Sequence, residues 1–363
     1  MLVHSDFYAP VKIIAGEGAM DNIAVELSSL DSCKPLVIAP SGTATIIRDL
    51  VCAFGETGME IGVFSHVTGK PTLADVKNIH EIYTSRGFDG IIAVGGGKVV
   101  HLAKIANIAA SSSPEILRQF LADEKIPLPQ LNPLVILSGL IIDGYECSKY
   151  AIFSDKRYES PSLIPKMVIV DKYALSGVFS PEVALSSALV MICALDDYLT
   201  EKHSFFSRAY TNSLFGLLIA AVDKARKPGK WKLPLANSLS LTGFLLSNNG
   251  GGWGYQLAQA LAAKKEKSTG ECACALLPHL LELAFERCGE EMGRMLMPIL
   301  DVDSVDEVKA VLLATYHKIA QEAGVEGINL SINNSEGEEM IASIMLEGSA
   351  KADCSRLMVR LSS

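Results

Sequence analysis

The sequence predicts an α/β fold, with a parallel sheet covered by helices in the first half and an all-helical second half. Short apolar runs alternate with helical patterns up to about residue 137. The runs are nearly continuous, as expected for parallel strands that are buried on both faces. After Ser180-Pro181-Glu182, an N-cap followed by proline at the first helical position, the pattern stays helical to the end.

Length and composition set the wider limits. At 363 residues the chain exceeds the size at which one hydrophobic core usually keeps growing, so we predict an α/β domain over 1–175 and a helical domain over 176–363. A net charge of −9, with no basic stripe, argues against nucleic acid or an anionic membrane as a partner. The eight cysteines show neither a disulfide framework nor paired zinc spacing. Nothing at the start resembles a secretory signal, and we expect a cytoplasmic protein.

The elements follow in order along the chain. The predicted main strands are 11–15, 35–39, 61–65, 91–94 and 133–137. Helices are predicted in the first half at 20–30, 73–85 and 102–110. Two further runs, 151–155 and 167–171, are predicted to form an added hairpin or edge element near the domain junction. In the second half, helical patterns cover 182–200, 204–225, 239–247, 255–263, 271–288 and 305–323.

A glycine triplet between a predicted strand and a predicted helix is the most informative motif. Gly95, Gly96 and Gly97 follow the apolar run 91–94, and Lys98 comes next, before the predicted helix. Glycines let a backbone approach a diphosphate closely, and the N–H groups at the start of the helix then face the anion. Lys98 is placed to neutralise a phosphate. Glycine triplets also occur in many tight turns. The surrounding sequence is therefore needed to distinguish a diphosphate-binding loop from an ordinary turn.

The stretch GGGKVVHLAK, residues 95–104, resembles the glycine loop of the iron-containing alcohol dehydrogenase, glycerol dehydrogenase and glycerol-1-phosphate dehydrogenase superfamily. Members typically carry Asp where this chain has His101. Residues 66–72, ending in Pro-Thr, and residues 166–171, ending in Val-Asp, also resemble family segments. The resemblance implies a dehydroquinate synthase-like architecture, in which a Rossmann-like domain and a helical domain enclose one deep cleft. It also implies hydride transfer between NAD or NADP and a small hydroxyl or carbonyl compound.

The candidate cofactor-binding residues lie in three loops. They are Ser41 and Gly42, Gly95 to Lys98, and Ser138 and Gly139. Many NAD-preferring relatives carry an Asp at the end of the second strand, where it binds the ribose hydroxyls. The corresponding stretch 39–43 is neutral here. NADP is therefore allowed, NAD is not excluded, and loss of dinucleotide binding stays open.

The metal site of the superfamily is altered in this sequence. Members hold a divalent metal with an Asp and three His, or close variants, and the metal polarises the substrate hydroxyl. Aligning the helix 188–198 with the family pattern places Leu189 and Cys193 at two ligand positions, and Tyr255 and Thr269 at the other two. Leu cannot bind a metal, neutral Tyr and Thr are poor ligands, and Cys193 alone cannot hold zinc. We therefore expect no catalytic metal, misalignment being the competing interpretation.

His101 and Asp143 remain as candidates for catalysis. His101 lies at the family's Asp position near the nicotinamide, where it either relays a proton or fills space that needs no carboxylate. The leading function is a metal-independent, NAD(P)(H)-binding oxidoreductase acting on a small compound, phosphorylated or not, in the interdomain cleft. The alternatives are a catalytically inactive dinucleotide-binding or scaffold subunit and, less favoured, a lyase or cyclase. A homo-oligomer is compatible with the sequence.

Overall fold

The protein is described by a computed structural model. It covers residues 6–362 apart from 56, 68, 123–125, 140–143, 155, 176–178, 201–202, 228, 251, 328–331, 333–336, 341–343 and 345–347. The chain divides into two compact units. One is Ala9–Ser176, and the other is Gly177–Ser363 together with Met1–Tyr8.

The first unit is a six-stranded parallel sheet with helices between its strands, which confirms the predicted fold class. Its strands are β1 (Lys12–Gly16), β2 (Pro35–Pro40), β3 (Gly62–Val67), β4 (Gly90–Gly95), β5 (Leu134–Ser138) and β8 (Met167–Asp171). Its helices are α1 (Ile23–Ser28), α2 (Ala44–Phe54), α3 (Leu73–Arg86), α4 (Lys98–Ser111) and α5 (Pro114–Leu121). The strand order is β1-β8-β5-β4-β2-β3. The inner strands are almost entirely buried, as their continuous apolar runs require.

One sequence prediction about this sheet is wrong. The run 167–171 was expected in a hairpin or at an edge, but β8 lies inside the sheet, between β1 and β5. Every residue of β8 is buried, and this matches its unbroken apolar pattern. The separate hairpin consists of β6 (Tyr150–Phe153) and β7 (Lys156–Glu159).

Asp171 closes the carboxyl end of β8. Its Oδ2 accepts a hydrogen bond from the Met20 backbone N–H at 2.9 Å. Its Oδ1 accepts from the N–H groups of Tyr173 and Ala174 at 2.7 and 3.1 Å. The Val-Asp strand end therefore has a structural role here, because its carboxylate joins the turn after β8 to the segment after β1.

The second unit is helical in the residues that the structure describes. Its helices are α6 (Pro181–Leu199), α7 (Phe205–Asp223), α8 (Lys232–Asn249), α9 (Trp253–Lys265), α10 (Thr269–Leu300), α11 (Val305–Ala323) and α12 (Gly348–Ser362). α7 is long and apolar enough to cross a membrane, but 56% of its most apolar window is buried inside the protein. A core helix of a folded unit passes the same length and composition test.

A buried ionic network joins four of these helices. Asp197 Oδ2, on α6, accepts hydrogen bonds from Arg208 Nη1 at 3.0 Å and Thr211 Oγ1 at 2.9 Å, both on α7. Its Oδ1 accepts from Asn249 Nδ2 on α8. Arg208 Nε also donates to Glu291 on α10 at 2.9 Å. Removing one partner from such a network leaves a buried charge uncompensated.

We therefore expect Arg208→Met to lower the free energy of unfolding by about 3–5 kcal/mol. Arg226, an exposed arginine that pairs with Glu322, provides the control. Its replacement by methionine should cost under about 1 kcal/mol, because exposed ion pairs are weak. Urea denaturation followed by circular dichroism measures both. Equal losses in the two variants would contradict a central role for the network.

Candidate functional site

The sheet unit has a topological switch point between β2 and β4. These strands are neighbours, but β2 connects onward to β3 on one side while β4 connects to β5 on the other. In open parallel sheets, ligands bind beyond the carboxyl ends of the strands at such a point. The structure places all the predicted cofactor residues at this edge. Ser41 and Gly42 follow β2, Gly95 to Lys98 follow or end β4, and Ser138 and Gly139 end or follow β5.

The backbone of the glycine loop has conformations that favour glycine. Gly95 has φ +110°, and Gly97, the N-cap of α4, has φ +50°. The first turn of α4 contains no acidic residue, and Lys98 is exposed beside it. The positive end of the helix dipole is therefore not offset by a carboxylate of that turn. This arrangement is suited to an anion at the start of α4.

Ser138 and Gly139, at the carboxyl end of β5, pack directly on the glycine loop. Ser138 pairs with Gly95 across the two strands. A Cβ atom on Gly139 would lie only 3.2 Å from Gly95 Cα and 3.4 Å from Gly96 N. Glycine at 139 therefore favours this close approach of the two backbones, because any side chain there would require them to shift. On the other side, a Cβ on Gly95 would lie 4.0 Å from the Pro40 ring at the end of β2.

His101 lies one turn into α4 and faces the hairpin. Its Nδ1 accepts a hydrogen bond from the Ile152 backbone N–H at 3.1 Å, and its ring contacts Tyr145 edge to face at 4.9 Å. Because Nδ1 is an acceptor, a neutral His101 carries its proton on Nε2. The residue is only 4% exposed. These contacts favour the space-filling interpretation over the proton relay. Asp143, the other catalytic candidate, lies outside the described residues.

The positions that correspond to the family's metal ligands do not fit a metal. Leu189, Cys193 and Tyr255 are all buried, and Thr269 opens α10. Burial raises the pKa of the Cys193 thiol well above its usual value, and the charge of Asp196 raises it further. A thiol held neutral is a poor ligand, because metals bind the thiolate. Within the described part of the chain, no group of three or more His, Cys, Asp or Glu side chains is placed to hold a metal ion.

Sequence reasoning missed a second glycine-rich helix start, at α9. The carboxylate of Asp196, on α6, accepts hydrogen bonds at 2.8 Å from the backbone N–H groups of Gly254 and Tyr255 in the first turn of α9. A Cβ on Gly252 would lie 2.2 Å from Asp196 Oδ2. The glycines therefore make room for the protein's own carboxylate. The signal in the sequence was the stretch 250–254, which contains four glycines.

Comparison with known proteins was consistent with this architecture. Residues 10–172 match the family model described as iron-containing alcohol dehydrogenase. Choline dehydrogenase of Bacillus subtilis is 23% identical over 305 residues, which cover 80% of this chain and 75% of that protein. Alcohol dehydrogenase 4 of Saccharomyces cerevisiae is 21% identical, with 76% and 75% covered.

Solved structures share the whole fold. An iron-containing alcohol dehydrogenase from Thermococcus thioreducens has a TM-score of 0.81 at 18% identity, covering 98% of this chain and 99% of that one. Sulfoacetaldehyde reductase from Bifidobacterium kashiwanohense, solved in complex with NAD+, has a TM-score of 0.83 at 15% identity, with 99% of both chains covered. Fold and site define a two-unit protein with a parallel sheet and a glycine loop. Residues 10–172, which include all six strands of the parallel sheet, are similar to the iron-containing alcohol dehydrogenase family.

The burial of Asp196 generates a pH prediction. Burial raises the pKa of this carboxyl from 3.8 to about 7, against the opposing effect of the two N–H donors. Between about pH 4 and pH 7 the folded state keeps a proton that the unfolded state has lost. This carboxyl therefore makes the free energy of unfolding fall as the pH rises through that window, by up to about 1.4 kcal/mol per pH unit.

Asp196→Asn should remove this part of the pH dependence. Urea denaturation across the window measures it, and Asp223→Asn, at a half-exposed site on α7, should keep the wild-type slope. If the free energy of unfolding depends on pH equally in Asp196→Asn and in the wild type, burial does not raise the pKa of Asp196.

Proposed function

We propose that this protein binds NAD(H) or NADP(H) at the carboxyl ends of β2, β4 and β5 and works as an oxidoreductase. Its substrate would be a small hydroxyl or carbonyl compound, phosphorylated or not. The bound nicotinamide would supply the hydride acceptor or donor. The proposal includes a cytoplasmic location and no catalytic metal.

The start of α4 is the observation that carries this proposal. A diphosphate there would meet backbone N–H groups, the positive end of the helix dipole and the exposed Lys98 ammonium. The absence of side chains at Gly139 and Gly95 lets the backbones of the two loops lie close together beside this position. The relatives named above are dehydrogenases and a reductase, and the reductase structure contains NAD+. The NAD+ in the reductase structure supports a nicotinamide dinucleotide as the cofactor of this protein. The names of the relatives support an oxidoreductase activity.

The adenosine end of the cofactor would lie near the loop after β2. Ser41 and Gly42 are exposed and neutral, and Thr43 Oγ1 donates a hydrogen bond to the Pro40 carbonyl at 2.8 Å. A carboxylate here would bind the ribose hydroxyls of NAD and repel the 2′-phosphate of NADP. Because the loop supplies neither that carboxylate nor an arginine, we expect both dinucleotides to be accepted.

The proton-transfer step would fall to side chains, since the donors at the metal positions do not fit a metal. His101 is the weaker candidate for this step, because its Nδ1 accepts the Ile152 N–H and its ring packs against Tyr145. Asp143 is the second candidate for this role. Losing a metal removes several kcal/mol of charge stabilisation at the transition state, which is demanding to replace. That loss favours a second candidate function, a dinucleotide-binding subunit without catalysis. Nicotinamide absorbance recorded with a panel of aldehydes and alcohols separates the two.

The dinucleotide site is tested by Gly96→Val. Gly96 is not among the glycines with positive φ, so the substitution should act on the ligand more than on the backbone. We expect at least about tenfold weaker binding of NADH and NADPH, or about 1.4 kcal/mol, because the side chain enters the diphosphate position. Isothermal titration calorimetry measures the affinity. Gly69→Val is the matched control, since Gly69 is exposed with nothing within 4 Å of an added Cβ. Unchanged affinity in Gly96→Val would count against the site.

Metal independence is tested by elemental analysis and chelation. The purified protein should contain no stoichiometric zinc, iron or nickel, because Leu189 has no donor atom and burial raises the pKa of the Cys193 thiol well above its usual value. Dialysis against EDTA should leave the melting temperature and the dinucleotide affinity unchanged. About one metal ion per chain, lost on EDTA treatment together with stability or activity, would restore the metal-dependent interpretation.

A further inference from the structure

The segment that precedes the hairpin is buried although it has little regular structure. Tyr145, Glu146, Cys147 and Ser148 are each at most 1% exposed. Irregular segments usually lie at the surface, because buried backbone carbonyls without donors cost free energy. Something in the sheet unit must therefore satisfy the carbonyls of this segment.

Lys104 of α4 satisfies three of them. Its Nζ lies 2.7 Å from the carbonyl oxygen of Tyr145, 2.6 Å from that of Ser148 and 2.8 Å from that of Tyr150. Three acceptors require three N–H donors, so the side chain is an ammonium ion. It is fully buried. Lys104 is therefore a buried structural residue of the sheet unit and not a surface residue of α4.

The same helix holds the segment at a second point. His101 and Lys104 are three residues apart and share a face of α4. His101 binds the Ile152 N–H, while Lys104 binds the carbonyls of residues 145, 148 and 150. The attached segment therefore runs from Tyr145 to Ile152. It begins six residues after Gly139, whose backbone lies close to Gly95 and Gly96.

We propose that Lys104 is a positioning residue for the dinucleotide site. This inference rests on the proposed function. Lys104 is six residues beyond Lys98, about 9 Å along the helix axis, so it acts without touching the diphosphate. Its ammonium fixes 145–152 to α4, and this attachment holds the start of α4 in the arrangement that the dinucleotide needs. The three carbonyls form a cation site that the lysine fills from within the chain.

Two readouts test this on the full-length protein. Hydrogen exchange measured by mass spectrometry reports protection of peptides over 144–153, and calorimetry reports affinity for NADH and NADPH. Lys104→Met and Lys104→Gln should both increase the rate of hydrogen exchange in these peptides. Both should also weaken the binding of NADH and NADPH at least about tenfold. Lys77→Met, an exposed lysine on α3, should change neither readout.

Chemical rescue separates positioning from general damage. Lys104→Ala leaves a cavity and three carbonyls that methylammonium can enter, so methylammonium should restore both protection and affinity. Lys104→Met fills the cavity with an apolar stem and should not respond. Rescue of Lys104→Ala alone would support the proposal even if Lys104→Met folds poorly.

The outcomes distinguish this inference from the proposed function. If the wild-type protein binds neither dinucleotide, the proposed function is wrong and the inference falls with it. If the wild type binds and the Lys104 variants bind equally well, only the inference is wrong, whatever the exchange rates. Weaker binding that methylammonium does not restore in Lys104→Ala would also contradict it.

Discussion

A charge taken out of water needs hydrogen-bond partners on every side, and each unit of this chain contains such a group. In the sheet unit it is the Lys104 ammonium, surrounded by three carbonyls. In the helical unit it is the Asp197 carboxylate, which accepts from Arg208 and Thr211 of α7 and from Asn249 of α8. Removing one partner leaves the others buried and unsatisfied, which costs more than a hydrogen bond is worth. These hydrogen bonds are directional, so they fix the relative positions of helices and loops more precisely than apolar packing alone.

The same electrostatics distinguishes two glycine-rich helix starts. At α9 the N–H groups of Gly254 and Tyr255 already bind the side chain of Asp196, so a group of the protein itself occupies this helix start. At α4 the N-cap is Gly97, and the first turn has no acidic residue. Both stretches look alike in sequence, because each combines several glycines with a helical pattern. Asp196 of α6, which is far from α9 in the sequence, occupies the start of α9. The start of α4 is therefore the one that is suited to an external anion.

Sequence reasoning succeeded where the signal is local. The strand runs and the helix after the glycine triplet were predicted from short patterns, and the residues proposed to bind the cofactor lie at the ends of β2, β4 and β5. It was wrong for 167–171, because an apolar run identifies a strand but not its neighbours in the sheet. It missed the roles of Lys104 and Asp196, since each depends on groups at least 40 residues away. Long-range partners of a polar residue leave no periodic signal in a single sequence.

The fold of this chain and the chemistry at its proposed metal positions are separate questions. Leu189, Cys193 and Tyr255 are buried, and Leu189 has no donor atom for a metal. Retention of the fold therefore does not argue that catalysis is retained. The glycine loop argues more strongly for binding. Gly95 and Gly97 hold positive φ angles, and glycine loses more conformational entropy on folding than any other residue. A loop that carries this cost at the switch point of the sheet is most simply explained by a ligand that needs the close approach of its backbone.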